Sequence, residues 1–414
     1  MDRNEHPEEN RHVFRPLSGK KILFGVTGGI ACFKAAEYVR NLVKEGAEVE
    51  VILTKNARNF VTEHSFSALS GKRAETELFD PATCHEIPHI SLARRADLLV
   101  VLPATADILA KFAHGIADDL LSTVFLSLTG PVLLFPSMNP DMYSHPATQA
   151  NIHTLKKRGT EVVEPESGLV VCGARGKGRL PSWDTVLFRI KKALWQKNLE
   201  GKKILVTAGP TREAIDPVRF ISNRSSGKMG FKLAEAASLR GAEVHLVAGP
   251  VSLERPGDVN FYTVESAKDM AEAVFSVSGQ MDVIIMAAAV SDYAPQLKHE
   301  NKIKKTGETL ELKLARTTDI LMNLGQEKPD WQILAGFCAE SQNLVENAFS
   351  KLRKKNLDLI IANDITEPGA GFDSDTNRVI IIDAEENIEE LPMLDKAEVA
   401  ERILDKIVEL MDLK

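Results

Sequence analysis

The sequence predicts an α/β protein built from two doubly wound, Rossmann-like domains. Three observations carry that expectation. The chain has 414 residues, and single hydrophobic cores stop growing near about 250–300 residues. Short continuous apolar runs alternate with helical patterns, as parallel strands covered on both faces do. The same pattern of elements also occurs twice.

The first strand of each half is nearly a copy of the other. Gly19-Lys-Lys-Ile-Leu-Phe-Gly-Val-Thr27 opens one and Gly201-Lys-Lys-Ile-Leu-Val-Thr207 the other. Each apolar run leads into glycines and then a helical pattern. The second strand recurs as Glu45-Gly-Ala-Glu-Val-Glu-Val-Ile-Leu-Thr54 and Arg240-Gly-Ala-Glu-Val-His-Leu-Val-Ala248. A later buried strand recurs as Ala96-Asp-Leu-Leu-Val-Val-Leu-Pro103 and Met281-Asp-Val-Ile-Ile-Met-Ala-Ala288. The helix-like stretch Trp183–Asn198 ends the first half, so the expected division is a polar, disordered tail over 1–18, a first domain over 19–195 and a second over 196–414. The polar segment His299–Leu314 reads as an excursion or hairpin outside the second sheet.

Composition narrows the function classes. A net charge of −7 and a pI near 5.9 argue against nucleic acid or an anionic membrane as the main partner. No apolar run reaches the roughly 18–20 residues of a bilayer span, and no apolar leader opens the chain. The four cysteines, Cys32, Cys84, Cys172 and Cys338, form no CxxC pair. That makes a disulfide framework or zinc ribbon unexpected and a reducing cytoplasm the expected setting.

Ligands of open α/β sheets sit at the carboxyl ends of strands, beside helix N-termini. In the first half that rule selects Gly25-Val-Thr-Gly-Gly-Ile30, whose N–H groups and hydroxyl suit a phosphate, although a tight strand–helix turn needs glycine anyway. The spacing is not GxGxxG, and the second strand ends in Leu53-Thr54 instead of the acid that grips an NAD ribose, which favours a mononucleotide such as FMN. Thr105, in Pro103-Ala-Thr-Ala-Asp107, is either a cofactor contact or a helix N-cap. His89 follows Pro88, and a lone histidine is often structural. Asn139 lies in the loop Phe135-Pro-Ser-Met-Asn-Pro-Asp-Met-Tyr143, where an asparagine can simply cap a turn. Cys172 opens Cys172-Gly-Ala-Arg-Gly-Lys-Gly-Arg179, whose glycines and cations suit a mobile segment with a stabilised thiolate.

In the second half, Ile215-Asp-Pro-Val-Arg-Phe-Ile-Ser-Asn-Arg-Ser-Ser-Gly-Lys-Met-Gly230 precedes a helix over Phe231–Leu239 and forms another anion pocket, without GxxxxGK[ST]. Lys302-Ile-Lys-Lys305, and Lys351, Lys354 and Lys355 at helical spacing, are either solvated faces or the cations a triphosphate requires. Asp292, at the end of the recurring strand, is placed for a nucleotide or its Mg2+, or is an ordinary turn residue.

Taken in order, Val26-Thr-Gly-Gly-Ile-Ala, Pro88-His-Ile, Pro103-Ala-Thr-Ala, Pro136-Ser-Met-Asn-Pro-Asp-Met and Cys172-Gly-x-x-Gly-x-Gly-Arg resemble the flavin-dependent cysteine decarboxylases, above all phosphopantothenoylcysteine decarboxylase. Ala208-Gly-Pro-Thr-Arg-Glu, Asp216-Pro-Val-Arg-Phe-Ile-Ser-Asn-x-Ser-Ser-Gly-Lys-Met-Gly, Ala288-Ala-Val-Ser-Asp-Tyr, Lys302-Ile-Lys-Lys, Gly336-Phe-x-Ala-Glu and Ala362-Asn-Asp resemble phosphopantothenate–cysteine ligase. Together they match the fused bacterial enzymes of coenzyme A biosynthesis, a flavodoxin-like flavoprotein domain followed by a ligase domain.

The resemblance implies FMN at Gly28, Gly29, Ile30, Thr54 and Thr105, with His89 assisting oxidation of the substrate cysteine. It implies Asn139 on the substrate carboxylate and Cys172 as the proton donor when the enethiol is reduced. Oxidising the thiol to a thioaldehyde supplies the electron sink that losing CO2 from an amino acid otherwise lacks. For the second domain the resemblance implies CTP at Ala288, Asp292, Lys302, Phe337, Lys351 and Lys355, with Mg2+. Asn223 would stabilise an acyl-cytidylate of 4'-phosphopantothenate, with Arg219 nearby and Lys302 also on the phosphates, before cysteine's amine attacks. It further implies a homo-oligomer with trimer-type contacts in the first domain and dimer-type contacts in the second. Val171, Ala174 and Ala294 depart from the family pattern. The rival readings are a two-domain NAD-type dehydrogenase, which the missing acid speaks against, and a non-catalytic FMN-binding regulator, which would have no use for both His89 and Cys172.

Overall fold

A computed structural model describes residues 14–79, 87–169, 173–304, 310–340, 342–364, 369, 371 and 374–413. Residues 1–13 of the expected tail, Cys84, Val171, Cys172 and Lys305 lie outside the described residues. The chain divides into two compact units that meet in sequence between Trp195 and Gln196.

The first unit is wound on five parallel strands: β1 (Lys21–Val26), β2 (Glu48–Leu53), β3 (Leu98–Ala104), β4 (Val132–Pro136) and β5 (Glu161–Val162). Their order is β2-β1-β3-β4-β5, the flavodoxin-type winding. Side chains of one strand alternate between faces, so Ile22, Phe24 and Val26 of β1 join one core while Leu23 joins the other. β3 is buried along its whole length, which is why its sequence is a continuous apolar run rather than an alternating one.

The second unit carries an eight-stranded sheet: β6 (Lys203–Ala208), β7 (Glu243–Ala248), β8 (Val259–Thr263), β9 (Val283–Met286), β10 (Ile333–Glu340), β11 (Leu359–Asp364), β12 (Val379–Asp383) and β13 (Ile388–Glu390). The order is β8-β7-β6-β9-β10-β11-β12-β13. Its first six strands are parallel, while β12 and β13 run antiparallel to their neighbours. The turn Ala384–Asn387 is far too short for the crossover that a parallel β13 would need. Among the described strands of the two main sheets, this edge pair departs from the all-parallel expectation. The described parts of the expected excursion, 299–304 and 310–314, lie outside this sheet, next to a small ladder in which Tyr293–Pro295 pairs antiparallel with Leu314–Arg316.

The sequence repeat is also a hydrogen-bond repeat. Lys21 aligns with Glu48, and Lys203 with Glu243, in the same parallel register. The Asp97 carboxylate accepts the Lys21 N–H at 2.7 Å, and the Asp282 carboxylate accepts the Lys203 N–H at 2.7 Å. Gly46 and Gly241 both adopt φ +94 at the entry to the second strand, a left-handed conformation open to glycine at no steric cost.

Candidate active sites

The turn after β1 is pressed against the turn after β2. A Cβ on Gly28 would lie 2.3 Å from Asn56 Cβ and 2.8 Å from the Asn56 carbonyl carbon, so only glycine fits there. Gly29 donates its N–H back to Thr27 O at 2.9 Å. After β3, Thr105 caps the helix Ala106–His114 by accepting from Ile108 N at 3.4 Å. The N-cap reading of Thr105 holds, and the residue also lines a cleft of about 530 Å³ with Gly28, Gly29, Ile30 and Asn139. Ile30, Met142 and Leu169 form an exposed apolar rim on this cleft.

Asn139 caps the short helix Pro140–Ser144, with Oδ1 accepting from Asp141 N at 2.8 Å. Its loop is held by the antiparallel pair Glu166–Leu169 and Arg175–Arg179. Met138 N donates to Gly178 O at 3.1 Å, and a Cβ on Gly178 would fall 2.1 Å from Met138 O. Cys172 belongs in sequence to the connection of this pair and lies outside the described residues.

Two expected residues stand apart from the cleft lining. Thr54 serves its own turn, donating to Val26 O at 3.4 Å and accepting from Ala57 N at 3.4 Å. His89 sits in the first turn of the helix Pro88–Arg95. Its Nδ1 is buried with no hydrogen-bond partner among the described residues, and a buried orphan nitrogen costs about 1–3 kcal/mol unless something satisfies it.

In the second unit two adjoining hollows of about 380 and 430 Å³ share Ala288, Val290, Asp292, Phe337 and Lys351. They open at the carboxyl ends of β9 and β10 and continue to the start of the helix Lys228–Leu239, which begins three residues before the sequence predicts. A Cβ on Gly230 would meet Ala208 Cβ at 2.6 Å, so glycine lets this helix approach β6. Asn223 lines the first hollow and donates from Nδ2 to Ala289 O at 3.2 Å and Val290 O at 3.1 Å. Lys355 lines the second hollow, its Nζ 2.8 Å from Asp319 Oδ1.

Electrostatics in this cleft follow from burial. Lys351 donates to Phe337 O at 2.7 Å, and burial pushes its pKa below the usual lysine value. Burial also pushes the Cys338 thiol up to about 11, which favours its neutral form in the cleft wall. Burial of Asp319, the largest single influence, favours protonation, but the Lys355 hydrogen bond, the Met322 N–H and the charges of Lys355 and Lys351 together hold the carboxyl below its usual range.

Arg219 and Lys302 are not among the lining residues. Arg219 pairs with buried Asp216 at 3.5 Å, and Lys302 is exposed. A buried carboxylate joins the two segments that carry them. Asp216 accepts from Val218 N at 2.8 Å, Arg219 N at 2.8 Å and Ile303 N at 3.1 Å. Sequence reasoning missed Asn377 and Lys396, which line the hollow from the C-terminal side. Lys396 starts an ordinary amphipathic helix, Lys396–Leu413, so nothing local marks it.

Among the described residues no cluster of three or more His, Cys, Asp or Glu could hold a metal ion, and no helix is long and apolar enough to cross a membrane.

Residues 11–194 match the family model described as Flavoprotein, and residues 199–411 that described as DNA/pantothenate metabolism flavoprotein C-terminal domain. The chain is 46% identical over 398 residues to the coenzyme A biosynthesis bifunctional protein CoaBC of Bacillus subtilis, covering 95% of this chain and 98% of that one. It is 42% identical over 402 residues to the Escherichia coli protein of the same name, covering 96% and 99%. The C-terminal domain crystal structure of a protein of that name is 45% identical, covers 53% of this chain and all of that one, and has a TM-score of 0.46.

Proposed function

We propose, from the premise that this chain belongs to the family of bifunctional coenzyme A biosynthesis proteins, that its two units divide two consecutive reactions between them. The chain is an enzyme with a ligase and a decarboxylase activity, and it is a flavoprotein. In our assignment residues 19–195 decarboxylate and residues 196–414 ligate.

The observation that carries the assignment is the contrast of two clefts at strand ends within one chain. One is glycine-floored and apolar-rimmed, the other cationic and polar. In the ligase cleft 4'-phosphopantothenate and CTP meet. Lys351 and Lys355 neutralise triphosphate oxygens, and Asp292 faces the nucleotide or the Mg2+ that travels with it. The 223–230 segment offers N–H groups and a helix start to the substrate phosphate. The Asn223 side chain, braced on two carbonyls, holds the activated carboxyl while cysteine attacks. Arg219 and Lys302, whose segments meet at Asp216, line neither hollow and are assigned to this chemistry on the family likeness alone.

In the flavin cleft the residues present fit FMN. The Gly28–Gly29 turn and the Thr105 cap suit its phosphate, and the apolar walls suit a planar ring. Bound there, FMN supplies a two-electron acceptor that returns the same electrons. Asn139 orients the substrate carboxylate, His89 holds or takes a proton through its unsatisfied ring nitrogen, and Cys172 delivers a proton to the enethiol. Thr54 supports the turn beside the flavin. The exposed apolar rim suits a homo-oligomer, and we place the protein in the cytoplasm.

The test is incubation with 4'-phosphopantothenate, cysteine, Mg2+ and CTP or ATP while following pyrophosphate and CO2. Both products should appear, pyrophosphate first. CO2 from externally supplied 4'-phosphopantothenoylcysteine without any flavin absorbance in the protein would overturn the decarboxylase assignment. Ligation without pyrophosphate would overturn the acyl-cytidylate.

A further inference from the structure

Two buried hydroxyls link the same two strand ends in the two units, Thr27 six residues beyond Lys21 and Thr207 four residues beyond its counterpart Lys203. Thr27 follows β1 and is 2% exposed, while Thr207 lies at the end of β6 and is fully buried. A buried hydroxyl is expected to be hydrogen-bonded, and the partners here are informative. Thr27 Oγ1 accepts the N–H of Thr105 at 3.1 Å, donates to Pro103 O at 2.7 Å and lies 3.2 Å from Thr105 Oγ1. Thr207 Oγ1 accepts the N–H of Ala288 at 3.1 Å and lies 3.8 Å from Met286 Sδ.

The strand orders give these bonds their meaning. In the first sheet the chain leaves β1 toward β2 and leaves β3 toward β4, in opposite directions. In the second it leaves β6 toward β7 and β9 toward β10. The crevice that binds ligands in such sheets opens where the winding reverses, between β1 and β3 in one unit and between β6 and β9 in the other. Each threonine stands on one lip of that crevice and holds a main-chain N–H of the other lip.

We propose that Thr27 and Thr207 are positioning residues that set the width of the two crevices, Thr27 for the flavin and Thr207 for the nucleotide. This rests on the assignment of those ligands made above. Neither threonine is itself among the residues that line its cleft. Thr27 acts through Thr105, the helix cap in the flavin cleft, and Thr207 acts through Ala288 in the wall shared by both hollows of the ligase cleft.

Valine keeps the shape of threonine and removes the hydroxyl. In the full-length, deflavinated chain, Thr27→Val should raise the Kd for FMN, read by quenching of flavin fluorescence, about fivefold or more, the equivalent of one net hydrogen bond. Thr27→Ser should restore the wild-type value. Thr207→Val should raise KM for CTP by a similar factor with little change in kcat, with Thr207→Ser restoring it, and should leave the FMN Kd alone. A residue that only stabilises the fold would lower Tm without moving Kd or KM. Unchanged Kd and KM in folded valine variants would therefore overturn the proposal. Should a valine variant not fold, its serine counterpart decides instead, and a serine variant that loses affinity overturns it. A wild-type chain that takes up no FMN would refute the flavin assignment itself, a result distinct from FMN binding that is indifferent to Thr27.

Discussion

The two halves of this chain share a frame and differ at the mouth. Both begin with the same strand, held by an aspartate on the same main-chain N–H, and both fix their crevice with a threonine hydroxyl. Beyond that hydroxyl they diverge. In the first unit Thr105 starts a helix, and the cleft is floored by glycine and rimmed by Ile30, Met142 and Leu169. In the second, Ala288 leads into a loop instead of a helix, and the cleft gathers Asn223, Asp292, Lys351 and Lys355. The frame decides where a ligand sits, and the loops decide which one.

The largest expected effects separate the halves outright. Cys172→Ser should slow aminothiol formation about a hundred- to ten-thousand-fold, the usual span for a positioned proton donor, with pyrophosphate release unchanged. A matching loss of pyrophosphate release would mean that the halves are not chemically separate. Asn223→Asp should do the converse. It puts an acceptor where the amide donates to Ala289 O and Val290 O, so ligation should fall about a hundredfold or more. Decarboxylation of supplied 4'-phosphopantothenoylcysteine should persist, and normal ligation would remove Asn223 from the site.

Much of this frame was legible because duplicated strands leave duplicated strings. Gly19-Lys-Lys-Ile-Leu and Gly201-Lys-Lys-Ile-Leu fold in one register, and a short continuous apolar run such as Leu98–Leu102, set between helical patterns, reads as a strand buried on both faces, which it is. The antiparallel edge was less legible, since strand direction depends on connection length rather than on strand composition. Residues of the cleft were readable where a motif marks a tight turn, as at Gly28. They were hidden where packing recruits a distant side chain, as at Lys396 and Asn377. The lysine cluster 302–305 and the lysines at helical spacing looked alike in sequence. The structure separates them, with Lys302 exposed and Lys351 half-buried against Phe337 O.

A middle-sized effect compares the glycines that let each first loop close. Gly28→Ala would force a Cβ against the Asn56 backbone, and Gly230→Ala one against Thr207 O at 2.8 Å. Overpacking of this kind costs about 1–3 kcal/mol. Calorimetry should show Gly28→Ala lowering one transition and releasing flavin on gel filtration, and Gly230→Ala lowering the other while flavin is retained. Flavin loss in both variants would break the comparison.

The smallest effect concerns charge, and its sign is fixed by Lys351. Burial, the largest cause, lowers its pKa, Lys355 adds to this, and Cys338, Glu340 and Asp319 pull the other way. In the native state the ammonium therefore loses its proton at lower pH than in the unfolded chain. Between those two values the unfolded state binds more protons, so stability rises with pH toward the unfolded lysine value, and below the window the cost of burying the charge is present in full. Lys351→Met removes that cost, and the Phe337 carbonyl at the cleft wall is left to water. At pH 7 the ligase transition should rise, with the gain over wild type shrinking as pH climbs through the window. Because a charge-assisted contact is worth about 1.5–3 kcal/mol, KM for CTP should rise at least about tenfold in the same variant. Gaining stability while losing affinity is the behaviour of a lysine kept for its ligand. A Tm that falls at pH 7 with KM unchanged would make Lys351 a structural residue, and the cationic half of the comparison would then rest on Lys355 and Lys396.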